Sequence, residues 1–310
     1  MQVKDLLRTE HLSRAQVDTL LATARDFAKN PLSANTALAN RTVAIYMTKP
    51  STRTRLASES AVAHLGGTPI FIRGDELQIG RGETISDTAR VISQFASALI
   101  IRTYKQSDVD ELGASASIPV INGLTDEDHP TQLLADWMVL TEKFGDDLAG
   151  RKFAYVGDGN NMANTWLILG AIMGAHVVIA TPSGKFSVSQ SIIDRANAIA
   201  AKSGAKLEIS HEPDSVTGAS AIYTDVWLSM GDSDAEKSER VKALTPFAVT
   251  PKLMSLAAKD AIFMHCLPAH RGEEVSAEVI DGEQSVVWRQ AFHRRTTIQS
   301  ILYHLTRGGI

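Results

Sequence analysis

Apolar positions along this chain follow two rhythms. Near the N-terminus, Val17, Leu20, Leu21, Ala24, Phe27 and Ala28 fall on one helical face. Ser13, with Gln16 three residues later, is a capping-box pattern, so a helix is expected to begin there. Beyond it, short apolar runs bounded by turn residues recur at 42–48, 69–72, 98–101 and 118–122. Segments of helical character, 53–65 and 83–95, lie between them. The stretch 131–144 reads as one long helix, ended by Gly145 and the Asp146–Asp147 pair. A second series of runs follows at 153–156, 175–180, 207–209, 221–226 and 261–265. Near-continuous apolar strands alternating with helices are the mark of a parallel sheet covered on both faces.

Two such series predict an α/β protein of two domains, each a mainly parallel sheet flanked by helices. The 131–144 helix joins them. By spacing alone the last helix, about 292–306, packs on either domain. A length of 310 residues agrees, at roughly 150 residues per domain. The longest apolar stretch, 162–180, is interrupted by Asn164, Thr165, Gly170, Gly174 and His176. It reads as a buried helix, a glycine break and a buried strand rather than a membrane span.

Composition narrows the function classes. The 31 Lys and Arg against 35 Asp and Glu give a net charge of −4, with no long basic run, which argues against generic nucleic-acid binding. The one cysteine, Cys266, excludes an intrachain disulfide framework and a cysteine-rich zinc site. The first residues lack the apolar core of a secretory signal. The expectation is a soluble, cytoplasmic protein of a reducing compartment.

In open parallel sheets, ligands bind beyond the C-terminal strand ends, where loops meet helix N-termini. The run 42–48 leads into Lys49-Pro50-Ser51-Thr52-Arg53-Thr54-Arg55. Pro50 keeps Lys49 extended, and Ser51 or Thr52 is a natural N-cap. Backbone N–H groups, three hydroxyls and the Arg53 and Arg55 guanidinium forks then converge at one helix N-terminus, a combination suited to a phosphate dianion. The nucleotide P-loop pattern is absent. Gly157-Asp158-Gly159 offers only a lone G-x-G, with Met162 where the third glycine of a dinucleotide fingerprint belongs. The run 175–180 also ends without the acidic residue a ribose needs. Further strand ends carry Arg102, then His129-Pro130-Thr131-Gln132, then Asp225, then His265-Cys266-Leu267-Pro268. Each alone has an ordinary structural explanation. Together they set an Arg, a His, a Gln, an Asp and a Cys along the ligand-binding edges of two sheets.

These residues also carry a resemblance. Ser-Thr-Arg-Thr-Arg at 51–55, His-Pro-Thr-Gln at 129–132 and His-Cys-Leu-Pro at 265–268 resemble the three signatures of the ornithine carbamoyltransferases. Segments 78–84, 158–162 and 225–231 are similar in type and order, so the resemblance runs from about residue 40 to 300. The first signature is shared with aspartate carbamoyltransferases. Ser229-Met230-Gly231 and the His-Cys-Leu-Pro segment point to the ornithine branch.

The resemblance implies transfer of a carbamoyl group from carbamoyl phosphate to the δ-amine of L-ornithine, giving L-citrulline and phosphate in arginine biosynthesis. It implies no metal and no organic cofactor. Ser51, Thr52, Arg53 and Thr54 are implied to hold the phosphate, with Arg294 as a further phosphate ligand. Arg102, His129 and Gln132, flanked by Pro130 and Thr131, are implied at the carbamoyl group. Gln78 resembles a residue reaching into a neighbouring subunit's site, which implies a homotrimer with shared sites. Asn161, Asp225, Ser229 and Met230 are implied to hold the ornithine α-amino and α-carboxylate groups. Cys266 and the Leu267 carbonyl would face its side chain. The last helix then returns to the first domain. The implied carbamoyl-phosphate domain is 1–148 with 292–310, and the ornithine domain is 149–291.

The chain departs from the family pattern twice. Leu56-Ala57-Ser58-Glu59 stands where Phe-Ser-Phe-Glu is usual, and Arg294-Arg295-Thr296 replaces an Arg-[Leu/Met]-His segment, with register favouring Arg294 as the ligand. Other acceptors remain as alternatives. Aspartate calls for cations near 225–231 and 265–271, where this chain has Asp225 and Cys266. Putrescine leaves Ser229 and Met230 without a carboxylate to hold. A nicotinamide dehydrogenase or a bare binding protein on the same sheet is a further class, opposed by the missing fingerprint and by the set of polar strand-end residues.

Overall fold

The computed structural model describes residues 3–77, 79, 82–227 and 234–310, the side chains of 234–237 excepted. The chain divides into two compact units. One comprises residues 1–138 with 291–310, the other 139–290.

The first unit opens on α1 (Arg14–Lys29), where Ser13 and Gln16 do form a reciprocal capping box. Its four strands are β1 (Thr42–Met47), β2 (Thr68–Arg73), β3 (Leu99–Arg102) and β4 (Val120–Leu124), all parallel, in the order β2-β1-β3-β4. Helices α2 (Thr52–His64), α3 (Ile85–Phe95) and α4 (Gln106–Ser115) make the connections. Strands β1 and β3 are buried almost throughout because helices cover both their faces. Helix α5 (Pro130–Phe144) follows β4 and runs across the division at Met138.

The second unit holds a five-stranded parallel sheet of β5 (Lys152–Val156), β6 (His176–Ala180), β7 (Lys206–Ser210), β8 (Ala221–Thr224) and β9 (Ile262–His265), ordered β7-β6-β5-β8-β9. Its helices are α6 (Asn161–Ile172), α7 (Gln190–Ser203), α8 (Asp234–Leu244), and the single turns α9 (Pro251–Met254) and α10 (Ala277–Ile280). Helix α6 is buried almost all round, which explains why 162–180 reads as one apolar stretch. The chain then returns to the first unit through α11 (Val287–Leu305). Among the described residues, no helix is long and apolar enough to cross a membrane.

In each sheet the order in which strands are added reverses once. In the first unit the order switches between β1 and β3, and in the second between β5 and β8. Loops leaving the C-terminal ends of those strand pairs diverge to opposite faces and open a crevice, the ordinary ligand position in this architecture. The residues that leave these four strands are Thr48 to Ser51, Thr103, Gly157 to Asn160, and Asp225.

Candidate active site

In the first unit, α2 starts where β1 ends. Ser51 is its N-cap, and its hydroxyl accepts the Thr54 N–H at 3.2 Å. Across the switch, register pairs Met47 with Arg102. Arg102 Nη1 consequently reaches back to donate to Thr54 Oγ1 at 3.3 Å. Arg294, on α11, arrives at the same hydroxyl with Nη2, also at 3.3 Å, and donates to Thr131 Oγ1 at 3.3 Å. Its Nη1 donates to Gln132 Oε1 and stands 3.5 Å from His129 Nε2. Thr54, His129, Thr131, Gln132 and Arg294 are all buried. A buried guanidinium is costly unless its N–H groups find acceptors, so this constellation holds Arg294 in one pose.

The electrostatics follow from that packing. Burial foremost, then the charges of Arg294, Arg102 and Arg53, hold the His129 imidazole well below its ordinary 6.5. His129 is therefore neutral at pH 7 and offers an N–H without adding a charge. Pro130 opens α5, where its missing N–H costs nothing.

Two arginines need sorting. Arg295 turns away from this cluster, meeting His64 Nδ1 and Gln299 Oε1, each at 3.0 Å. Arg55, expected to converge with Arg53, does not. It is exposed, pairs with Glu59 at 3.0 Å and lies over the Phe71 ring at 3.9 Å. Two residues beyond Arg53 on a helix, it points some 200° around the axis, which carries it off the crevice.

In the second unit, the loop after β5 carries the corresponding elements. Gly157 has φ +135, and a side chain at Gly159 would meet the Ser187 carbonyl carbon at 2.4 Å, so the loop lies directly on residues 186–188. Asn160 is the N-cap of α6. Its Oδ1 accepts the Met162 and Ala163 N–H groups and the Tyr155 hydroxyl, leaving Nδ2 to donate to Asp225 Oδ2 at 2.9 Å. The Cys266 thiol donates to Asp225 Oδ1 at 2.8 Å. Burial, together with Asp225, Asp158 and Cys266, holds the Tyr155 phenol well above 10. Behind Cys266, His265 and Glu274 are fully buried, with Nε2 and Oε1 3.3 Å apart. Leu267 N–H donates to His265 Nδ1 at 2.8 Å, which holds Leu267 at the uncommon φ of +58.

Asp225, His265 and Cys266 each bring one potential metal donor within 4.8 Å of the others. In this trio His265 Nδ1 accepts the Leu267 N–H, and Cys266 donates to Asp225.

Of the expected residues, the structure gathers Ser51, Thr54, Arg102, His129, Thr131, Gln132 and Arg294 in the first unit and Asp225 with Cys266 in the second. Thr52 is the exposed first residue of α2, and Arg53 follows it, half-buried. The Asn161 carbonyl accepts the Thr165 hydroxyl at 2.6 Å, and it is the neighbouring Asn160 that meets Asp225. Gln78, Ser229 and Met230 lie outside the described residues. Sequence reasoning missed Asn160, Tyr155, Glu274 and also Asp136, on α5, whose Oδ1 accepts the Gln132 Nε2 at 2.8 Å. Asn160 had a signal, an Asn directly before an apolar helix. Tyr155 had none, being one more bulky position in a buried strand.

Comparison with known proteins decides the family. Residues 4–142 match the model for the aspartate/ornithine carbamoyltransferase carbamoyl-P binding domain, and 149–305 match that for the Asp/Orn binding domain. The chain belongs to the aspartate/ornithine carbamoyltransferase family. Among its relatives, the anabolic ornithine carbamoyltransferase of Pyrococcus furiosus is 46% identical over 310 residues, covering 99% of this chain and 97% of that one. The ornithine carbamoyltransferase of Symbiobacterium thermophilum is 49% identical over 266 residues, 86% of this chain and 85% of its own. A solved structure of the Pyrococcus furiosus ornithine carbamoyltransferase superposes with a TM-score of 0.91 at 45% identity, covering 96% of this chain and 95% of that one. Within this carbamoyltransferase family, the cation-rich cluster except Arg294 falls inside the carbamoyl-P binding match, while the Asp225–Cys266 cluster and Arg294, on α11, fall inside the stretch matched by the Asp/Orn binding model.

Proposed function

We propose that this chain is an ornithine carbamoyltransferase, moving the carbamoyl group of carbamoyl phosphate to the δ-amine of L-ornithine and releasing L-citrulline and phosphate. The observation that carries the choice of acceptor is the Asp225–Cys266 pair. A carboxylate accepting from a thiol and an amide makes an anionic, amine-seeking surface, whereas a second carboxylate on the acceptor would need a cation there. The Pyrococcus furiosus relative carries the designation anabolic, which supports the biosynthetic direction in arginine formation.

In this reading, Ser51, Thr52, Arg53, Thr54 and Arg294 receive the phosphate, aided by the free N–H groups of α2 and by Gln78 from a neighbouring subunit of a homotrimer. Arg102 and His129 polarise the carbonyl, and Gln132 takes the carbamoyl nitrogen. Asn161, Asp225, Ser229 and Met230 hold ornithine by its α-groups, while Cys266 and Leu267 line its side chain. The two units then divide the work, carbamoyl phosphate on 1–148 with the last helix and ornithine on 149–291. We assign the enzyme to the cytoplasm, where Cys266 stays a thiol.

The acceptor amine must be neutral to attack. With a pKa near the lysine value of about 10.4, deprotonation at pH 7 costs roughly 4–5 kcal/mol. Ornithine therefore binds in its minor, δ-neutral form. The δ-nitrogen attacks the carbonyl carbon, and the tetrahedral oxyanion rests on Arg102 and His129. The carbon–oxygen bond to phosphate then breaks, and the departing phosphate takes the proton that the nitrogen loses. The deciding measurement is product formation from carbamoyl phosphate with ornithine, aspartate or putrescine. Citrulline from ornithine is expected to dominate, and a preference for either other acceptor overturns the assignment.

A further inference from the structure

Asp136 is fully buried on α5, one helical turn beyond Gln132, and its Oδ1 accepts the Gln132 Nε2 at 2.8 Å. At the other end of the same amide, Gln132 Oε1 accepts from Arg294 Nη1. A side-chain amide can be turned either way when its neighbours are hydroxyls or waters. Here Arg294 sets the oxygen end, because a guanidinium only donates, and the Asp136 Oδ1 contact holds the NH₂ end. Gln132 is thereby fixed with its oxygen toward Arg294 and the basic cluster, and its NH₂ toward Asp136. That oxygen has two lone pairs, one of them used by Arg294.

We propose that Asp136 is a positioning residue for substrate choice. It locks the Gln132 amide so that the second lone pair of Oε1 accepts an N–H from the phosphate donor, selecting a carbamoyl group over an acyl group of the same shape. The inference rests on the carbamoyl-phosphate reading above and adds to it. A site committed to accepting an N–H rejects the analogue that lacks one, because its buried acceptor is then left unpaired. Acetyl phosphate is that analogue, carrying a methyl group where carbamoyl phosphate carries NH₂. With Asp136 removed, the NH₂ end loses its anchor, the amide plane can swing about the Arg294 contact, and Oε1 no longer holds its aim.

The test compares three ligands on three proteins: carbamoyl phosphate, acetyl phosphate and inorganic phosphate, on wild type, Asp136→Leu and Asp136→Asn. Asp136→Leu deletes the acceptor and is expected to lower the preference for carbamoyl over acetyl phosphate by about tenfold or more. Inorganic phosphate inhibition should stay within about threefold, since it never meets the amide. Asp136→Asn keeps an oxygen facing Gln132 and should retain most of the preference. The proposal is overturned if Asp136→Leu preserves the preference, or if all three ligands weaken in step, as a purely structural role would require. Should Asp136→Leu not fold, the exchange Gln132→Glu with Asp136→Asn decides. It restores one carboxylate and one amide in contact, and must discriminate better than Gln132→Glu alone; equal discrimination overturns the proposal. Wild-type citrulline formation separately tests the underlying reading, so the two failures are distinguishable.

Discussion

At its switch point the first sheet gathers Arg53, Arg102 and Arg294 about His129, whereas the second gathers a carboxylate, a thiol and a phenol about Asn160. Each cluster is centred on buried groups, His129 and Gln132 in one and Tyr155 and Asp225 in the other, and both hang from a helix N-cap, Ser51 in one and Asn160 in the other. The fields are opposite. Burial, then the cations, push the His129 imidazole down, while burial, then the anions, push the Tyr155 phenol up. In each case the perturbed group ends neutral at pH 7, where it can hydrogen-bond without altering the charge its neighbours present. One architectural device, the switch point of a doubly wound sheet, thus yields a cation-rich and an anion-rich cluster in one chain according to which residues leave the strands.

The sharpest way to break this comparison is to remove a cation from the first cluster. Arg102→Met deletes the donor proposed above for the carbonyl oxygen while keeping much of the side chain's bulk. It should lower kcat by about 10²–10³. The ornithine KM should change far less, because the ornithine contacts proposed above belong to the second unit. A kcat within a few-fold of wild type would remove Arg102 from oxyanion stabilisation.

The complementary change neutralises the anion. Asp225→Asn preserves shape and the contact with Asn160 but loses the charge. A hydrogen bond to a charged group contributes about 1.5–3 kcal/mol, so the ornithine KM should rise roughly 10- to 100-fold. Carbamoyl phosphate affinity should not move. Equal losses for both substrates would show that the two clusters are not chemically separate.

Acid sharpens the comparison in a different way. The folded pKa of His129 lies below the unfolded value of about 6.5, so between the two the unfolded chain binds a proton that the folded chain refuses. Stability therefore falls as pH drops through 6.5 toward the folded pKa, and the loss is complete below it. At pH 7.5 the group contributes nothing. His129→Asn removes this titration, so its urea midpoint relative to wild type should improve steadily between pH 7 and 5. A constant difference across that range would mean His129 is not held neutral by its surroundings.

How much of this was legible in the residues depended on distance along the chain. Strand ends could be read because apolar runs stop abruptly at polar residues: Met47 before Lys49-Pro50, Thr224 before Asp225, His265 before Cys266. The N-caps Ser13 and Ser51 were legible because capping chemistry is local. The lengths of elements were less so. Helix α11 begins at Val287, earlier than spacing suggests, because Gln290 in its first turns accepts the His265 N–H, a contact no local pattern announces. Tyr155 was hidden although its partners, Asp158 and Asn160, are only three and five residues away. Its ring is ordinary strand packing, and only the fold aims its hydroxyl at Asn160. Arg294 was found by resemblance alone, since nothing in a run of Arg294-Arg295 says which guanidinium faces inward.

Arg55 gives the smallest effect and the cleanest control. It shares the Ser-Thr-Arg-Thr-Arg segment with Arg53 and raises the local positive charge by as much, so a view based on net charge alone would count both. Its guanidinium is nevertheless turned to Glu59 and the Phe71 face, in solvent. An exposed i, i+4 ion pair is worth about 0.3–0.5 kcal/mol and an exposed cation–π contact about 0.5–1 kcal/mol. Arg55→Gln should therefore cost at most about 1.5 kcal/mol in stability, and the ion-pair part of that should shrink in high salt. The carbamoyl phosphate KM should stay within about twofold of wild type, because screening across solvent leaves little of one exposed charge. A larger loss of affinity would mean that the first cluster works as a diffuse field rather than through the aimed donors of Arg102 and Arg294.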